Sequence, residues 1–132
     1  MLLDTSGLLC FLNQDEPQHP RAVELMKNSR IPWLTHSYVL AELVALAMVR
    51  RFARAIVLNY TLELLNSPGI EIVWVDEMLH RQAMNLLVAR SDKSYSLCDA
   101  VSFVLMRKRN VFEALTTDRH FAQEGFAHLL VG

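Results

Sequence analysis

The chain has 132 residues, 52% hydrophobic and 20% charged, with 13 Lys and Arg against 14 Asp and Glu. That content excludes an intrinsically disordered chain and suits one domain-sized core, with more apolar material than a small monomer needs, so a partner surface is expected. A net charge of −1 excludes the global basic field of histone-like or arm-type nucleic-acid binders, and any nucleic-acid contact has to be local.

Residues 1–4 are a short apolar run that suits a buried strand, followed by a helical pattern through Leu12 with Asp4, Thr5 or Ser6 as its cap. Pro20 opens a helix over 21–27 whose Ala22, Val23 and Met26 share a face. Residues 31–35 read as a strand, and His36 or Ser37 begins a long helix through Ala47. A second helix over 50–65 is stopped by Asn66-Ser67-Pro68-Gly69, the strongest turn signal in the chain. Residues 70–75 alternate like a strand, 78–89 are helical, 90–96 form a polar loop, 97–109 are helical and 111–116 strand-like. A short helix over 118–124 is closed by Gly125, and 126–131 read as the last strand. Strand and helix alternate from end to end. The expected fold class is therefore α/β, a three-layer sandwich in which a central parallel sheet of about five short strands is flanked by helices, as one domain over 1–132. Trp33 and Trp74 fall in predicted strands and are expected in the core.

Asp4 interrupts the apolar N-terminus and no basic stretch precedes it, so a signal peptide is not expected. No apolar run approaches the roughly 18 residues of a membrane span, since even 39–49 carries Glu42. The expectation is a cytoplasmic protein without a membrane segment. Cys10 and Cys98 form no C-x-x-C and read as small core residues.

Ligands of parallel α/β sheets bind beyond the carboxyl ends of the strands. Asp4 and Asp118 follow predicted strands, Asp99 opens a helix and Glu42 lies on a helix after a strand, so all four can converge on one sheet edge. Three have a plainer reading: Asp4 and Asp118 as helix caps, and Asp99 as the acid of an S-x-x-D capping box, Ser96-Leu97-Cys98-Asp99. Glu42 lacks a polar neighbour for a full turn either way and needs a surface edge, a cation or a metal. Two carboxylates about 4 Å apart repel by roughly 4 kcal/mol at an effective dielectric near 20. A divalent cation relieves that repulsion. An all-oxygen donor set suits Mg²⁺ or Mn²⁺ rather than zinc. The five histidines, His19, His36, His80, His120 and His128, share no spacing and read as surface or packing residues.

The segments Asp4-Thr5-Ser6, Asp15-x-x-x-His19-x-x-Ala22, Ala41-Glu42-Leu43, Ser96-Leu97-Cys98-Asp99-Ala100 and Thr116-Thr117-Asp118-Arg119-His120-Phe121 resemble, in this order, the motifs of PIN domains, in particular VapC-type toxin ribonucleases. Each motif is short; their order over essentially the whole chain carries the resemblance. It implies a Mg²⁺- or Mn²⁺-dependent endoribonuclease leaving 5′-phosphate and 3′-hydroxyl ends. It further implies an acidic pocket of Asp4, Glu42, Asp99 and Asp118, with Asp4 and Asp99 as direct metal ligands, Glu42 and Asp118 available for a second site, and Thr5, Ser6 and Thr116 as polar lining. The expected partners are an RNA substrate and a small antitoxin.

RNA near such a pocket needs cations. Arg50, Arg51 and Arg54 form one candidate group and Arg107-Lys108-Arg109 another, although both also suit solvated helix ends. Arg119, beside Asp118, is the better candidate for a phosphate contact. The helices over 39–49 and 50–65 carry apolar residues on more than one face, among them Phe52, Ile56, Val57, Leu58, Tyr60 and Leu62. They read as a homodimer surface, a groove for an antitoxin peptide, or the wrapping of a larger core. A non-catalytic PIN-like interaction module is the alternative function. A receiver-type phosphoacceptor fits less well, since no acidic pair follows the first strand.

Overall fold

Leu2 and Leu3, the apolar pair at the N-terminus, form the central strand of a five-stranded parallel sheet. In the computed structural model, which describes residues 1–28 and 32–131, β1 (Leu2–Leu3) is flanked by β2 (Trp33–His36) and β4 (Glu113–Leu115). Outside these lie β3 (Ile70–Val73) against β2 and β5 (Ala127–His128) against β4. Helices α1 (Thr5–Leu12), α2 (His19–Asn28), α3 (Ser37–Val49), α4 (Arg54–Asn66), α5 (Glu77–Ala89), α6 (Leu97–Arg109) and α7 (His120–Gln123) supply the crossovers that parallel pairing requires. This is the α/β architecture the alternation predicts.

The pleat sends the two residues of β1 to opposite faces. Leu3 and its partner Leu115 join Leu8, Val39 and Leu43 on one face, while Leu2 and Ala114 join Phe103, Met106 and Phe121 on the other. Both faces are covered, which is why the strands read as unbroken apolar runs. On one side the helical layer comes very close: a Cβ at Gly7 of α1 would stand 1.9 Å from the Leu115 carbonyl oxygen of β4. Only glycine allows that approach.

The sheet order β3-β2-β1-β4-β5 reverses direction at β1 and β4. Asp4 and Thr116 follow these two strands, at the switch point where the carboxyl ends of neighbouring strands leave a crevice.

Several elements differ from the sequence expectation. Ile31, where the second strand was expected to start, lies outside the described residues. The helix expected from 50 begins at Arg54, because α3 ends in a Schellman motif. Phe52 N–H bonds to Ala47 O at 2.9 Å and Arg51 N–H to Met48 O at 3.2 Å, with Arg51 at φ 60°. No glycine marks that left-handed turn. Trp74 is 66% exposed, not in the core, because β3 ends at Val73 and the indole stands beyond the last ladder pair. The strand expected over 126–131 narrows to two residues, though Leu129 N–H to Ala114 O and Leu130 N–H to Thr116 O continue its backbone bonds. His36, by contrast, is a packing residue as read: wholly buried, it shares a 2.8 Å hydrogen bond with the Ser102 hydroxyl.

Candidate active site

Asp4 stands at the N-cap position of α1, yet its side chain makes no cap hydrogen bond. Its Oδ2 instead accepts from Thr116 Oγ1 at 2.7 Å and from Ser6 Oγ at 3.2 Å. The capping reading therefore fails for Asp4, and its carboxylate is held by the neighbouring strand end. Asp99 keeps its capping role and adds to it. Ser96 N–H donates to Asp99 Oδ2 at 3.1 Å and Asp99 N–H to Ser96 Oγ at 3.0 Å, completing the box that opens the buried helix α6. His120 Nδ1 lies 2.9 Å from the same Oδ2. Asp118 accepts from His120 N–H at 2.9 Å and donates its own N–H to Thr116 Oγ1 at 3.0 Å.

Of these side chains, Asp4, Ser6, Asp99 and Asp118 border one pocket of about 300 Å³. Five carboxylates face it, those of Asp4, Glu16, Glu42, Asp99 and Asp118, with Thr5, Ser6 and Thr117 between them and Arg50 on the wall. All four acids named from the sequence thus share one cavity. Thr116 acts from behind, through Asp4 and Ser6. Arg119 is exposed on the approach to α7 and is not part of the lining.

Glu16 was not assigned to the pocket from the sequence, whereas Arg50, expected beside it as an RNA-facing cation, lies on its wall. Glu16 arrives there on the turn after α1 and pairs with Arg50 at 3.5 Å. Its signal was its place inside the Asp15-x-x-x-His19 segment. His120, read as a surface or packing residue, does not line the pocket but stands against its acids: one donor atom each from Asp99, Asp118 and His120 lies within 4.8 Å of the others. The second basic cluster is tied up structurally: Arg107 pairs with the buried Glu124 at 2.5 Å and Arg109 with Glu71 at 2.6 Å.

Burial pushes Asp4 up to about 7; the Thr116 hydroxyl opposes this, and the charges of Asp99 and, more weakly, Glu42 add to it. Burial, followed by the charges of Glu42, Asp4 and Asp99, also raises Cys98 and keeps it a thiol. Five carboxyl groups face the pocket against one guanidinium, that of Arg50. Thr5 Oγ1, buried on the same wall, has no hydrogen-bond partner among the described residues. An all-oxygen set short of positive charge fits a hard divalent cation.

A five-stranded parallel sheet with an acidic pocket at its switch point defines a PIN-type α/β protein. No protein-family model matches the chain. It is 30% identical over 129 residues to the 23S rRNA-specific endonuclease VapC20 of Mycobacterium tuberculosis, spanning 98% of this chain and 97% of that protein. Ribonuclease VapC26 of the same species is 28% identical over 134 residues, spanning 92% and 90%. The crystal structure of M. tuberculosis VapC20, a sarcin-ricin loop cleaving toxin, matches with a TM-score of 0.88 at 27% identity, covering 96% of this chain and 95% of that one. The chain belongs to the VapC family of PIN-domain toxin ribonucleases.

Proposed function

We propose that this chain is a Mg²⁺- or Mn²⁺-dependent endoribonuclease acting as the toxin of a toxin–antitoxin pair. One observation carries the reading: Asp4 and Asp99 each use Oδ2 for hydrogen bonds within the protein, while both border a pocket shared with Glu42 and Asp118. Asp4 and Asp99 would hold the ion, with Glu42 and Asp118 able to complete a second position. When bound, the ion lowers the pKa of a water and offsets charge on the scissile phosphate. Thr116 and Ser6 keep the Asp4 carboxylate oriented. Arg50 on the wall and the exposed Arg119 supply the positive charge that an RNA backbone requires near so many acids.

The names of the relatives make 23S rRNA the first substrate to test. Exposed Met48, Val49, Ile56 and Leu62 on α3 and α4 suit a second copy of the chain or the apolar face of a small antitoxin. No helix among the described residues is long and apolar enough to cross a membrane. The test is cleavage of 23S rRNA with and without Mg²⁺ or Mn²⁺ by wild type, Asp4→Asn and Asp99→Asn. Wild type should cut only with metal and both variants should lose cleavage at least about 100-fold. Undiminished cleavage by both would overturn the site.

A further inference from the structure

His120 is the first residue of α7, and its ring is gripped on three sides. Nδ1 lies 2.9 Å from Asp99 Oδ2 and 3.4 Å from Asp118 Oδ1, while Nε2 lies 3.2 Å from Ser94 Oγ. The ring packs against Tyr95 with centroids 5.2 Å apart. Tyr95 is itself fixed, edge-on to Phe103 and donating its hydroxyl to the buried Glu124 at 3.2 Å. Glu124 is in turn clamped by Arg90 at 2.6 Å and by Arg107. The histidine therefore sits on a rigid support that joins α6, α7 and the loop between α5 and α6.

Donor and acceptor chemistry assigns the direction of these bonds. An ionised carboxylate only accepts, so Nδ1 carries the hydrogen toward Asp99, and in the neutral ring Nε2 accepts from the Ser94 hydroxyl. Asp99 Oδ2 then receives two donors, Ser96 N–H and His120 Nδ1–H. Oδ1 takes no hydrogen bond from another side chain among the described residues. A carboxylate gripped by one oxygen can turn only about that oxygen, and two donors at different angles remove this freedom as well.

We propose that His120 is a positioning residue that fixes the Asp99 carboxylate with Oδ1 presented to the metal. Partners of this kind that touch a ligand rather than the ion orient the ligand, and their loss weakens metal binding about 10- to 100-fold. The proposal rests on Asp99 being a metal ligand, and the experiment separates the two ideas.

Mn²⁺ binding is titrated calorimetrically on wild type, His120→Phe, His120→Asn and Asp99→Asn, with metal-free melting temperatures recorded for each. Phe keeps a ring against Tyr95 without either nitrogen, whereas the Asn amide can place an N–H near the position of Nδ1–H. His120→Phe should bind Mn²⁺ at least about tenfold more weakly, and His120→Asn should stay within about threefold of wild type. Wild-type affinity in His120→Phe overturns the proposal. So does an equal loss in both His120 variants, because the ring itself would then be the ligand. Nitrogen NMR of the wild-type ring supplies a check that needs no variant: a His120 whose Nδ1 bears no hydrogen in the metal-free protein overturns the assignment. If Asp99→Asn loses Mn²⁺ while His120→Phe keeps it, only the positioning role falls. Unchanged affinity in Asp99→Asn removes the ligand reading as well.

Discussion

Thr116 donates its hydroxyl to Asp4 Oδ2 at 2.7 Å across 112 positions of sequence, because the strands that end at these residues are neighbours in the sheet. This bond lowers the pKa that burial raises, so it favours the charged form that a cation needs. Thr116→Val keeps the shape and removes the donor. Mn²⁺ affinity should fall about 10- to 100-fold, read by calorimetric titration, with the fold retained by circular dichroism. Unaltered affinity would show that Asp4 is oriented without Thr116.

Ionisation of Asp4 should strain the metal-free protein. Its folded pKa, about 7, lies above the ordinary carboxyl value of 3.8, so between these values the folded state holds a proton that the unfolded state has released. Its stabilising contribution is full below about pH 4 and is lost as pH rises through about 7. In EDTA, wild type should therefore lose stability relative to Asp4→Asn between pH 5 and pH 8, by a few kcal/mol. Urea denaturation at the two pH values checks this, and a pH-independent difference would exclude a raised pKa.

His36 has the opposite sign. Burial lowers it from 6.5 to about 3, so below pH 6.5 the unfolded state binds a proton that the folded state does not. Its contribution is full above about pH 6.5 and is lost as pH falls toward 3, at up to about 1.4 kcal/mol per unit. His36→Gln should be less stable at pH 7, since it disturbs the bond to Ser102, but lose less than wild type between pH 6.5 and 4.5. Parallel denaturation curves of the two proteins across that range would contradict this.

Gly7→Ala tests the contact between α1 and β4. The added methyl meets the Leu115 carbonyl oxygen at 1.9 Å, a backbone atom that no side-chain rotation can clear. Destabilisation of about 1–3 kcal/mol or more is expected, seen as a lower melting temperature. Mn²⁺ binding should weaken too, since displacing α1 moves Asp4 at its head.

The alternation of strand and helix was legible because burial of both sheet faces writes unbroken apolar runs, and helices write a 3.6-residue period. Asp4 and Asp118 could be placed at strand ends from the same pattern, and Glu42 stood out because its neighbours are apolar. The left-handed turn at Arg51 was hidden, since the residue type that usually marks it is absent and Phe52 closes the motif by packing back toward α3. Trp74 was misplaced because alternation does not reveal where the last ladder pair falls.

By itself, the order of residues determined the α/β class, the central apolar strand and the short motifs that resemble a PIN domain, all of which depend on periodicity or on neighbours within a few positions. Only the tertiary structure decided that Asp4 is held by Thr116 rather than capping α1, that Glu16 and Arg50 reach the acidic pocket, and that His120 grips Asp99. Those relations join residues 21 to 112 positions apart. They exist because parallel pairing and helix packing bring the carboxyl ends of β1 and β4 and the heads of α6 and α7 to one edge, a juxtaposition that no local pattern encodes.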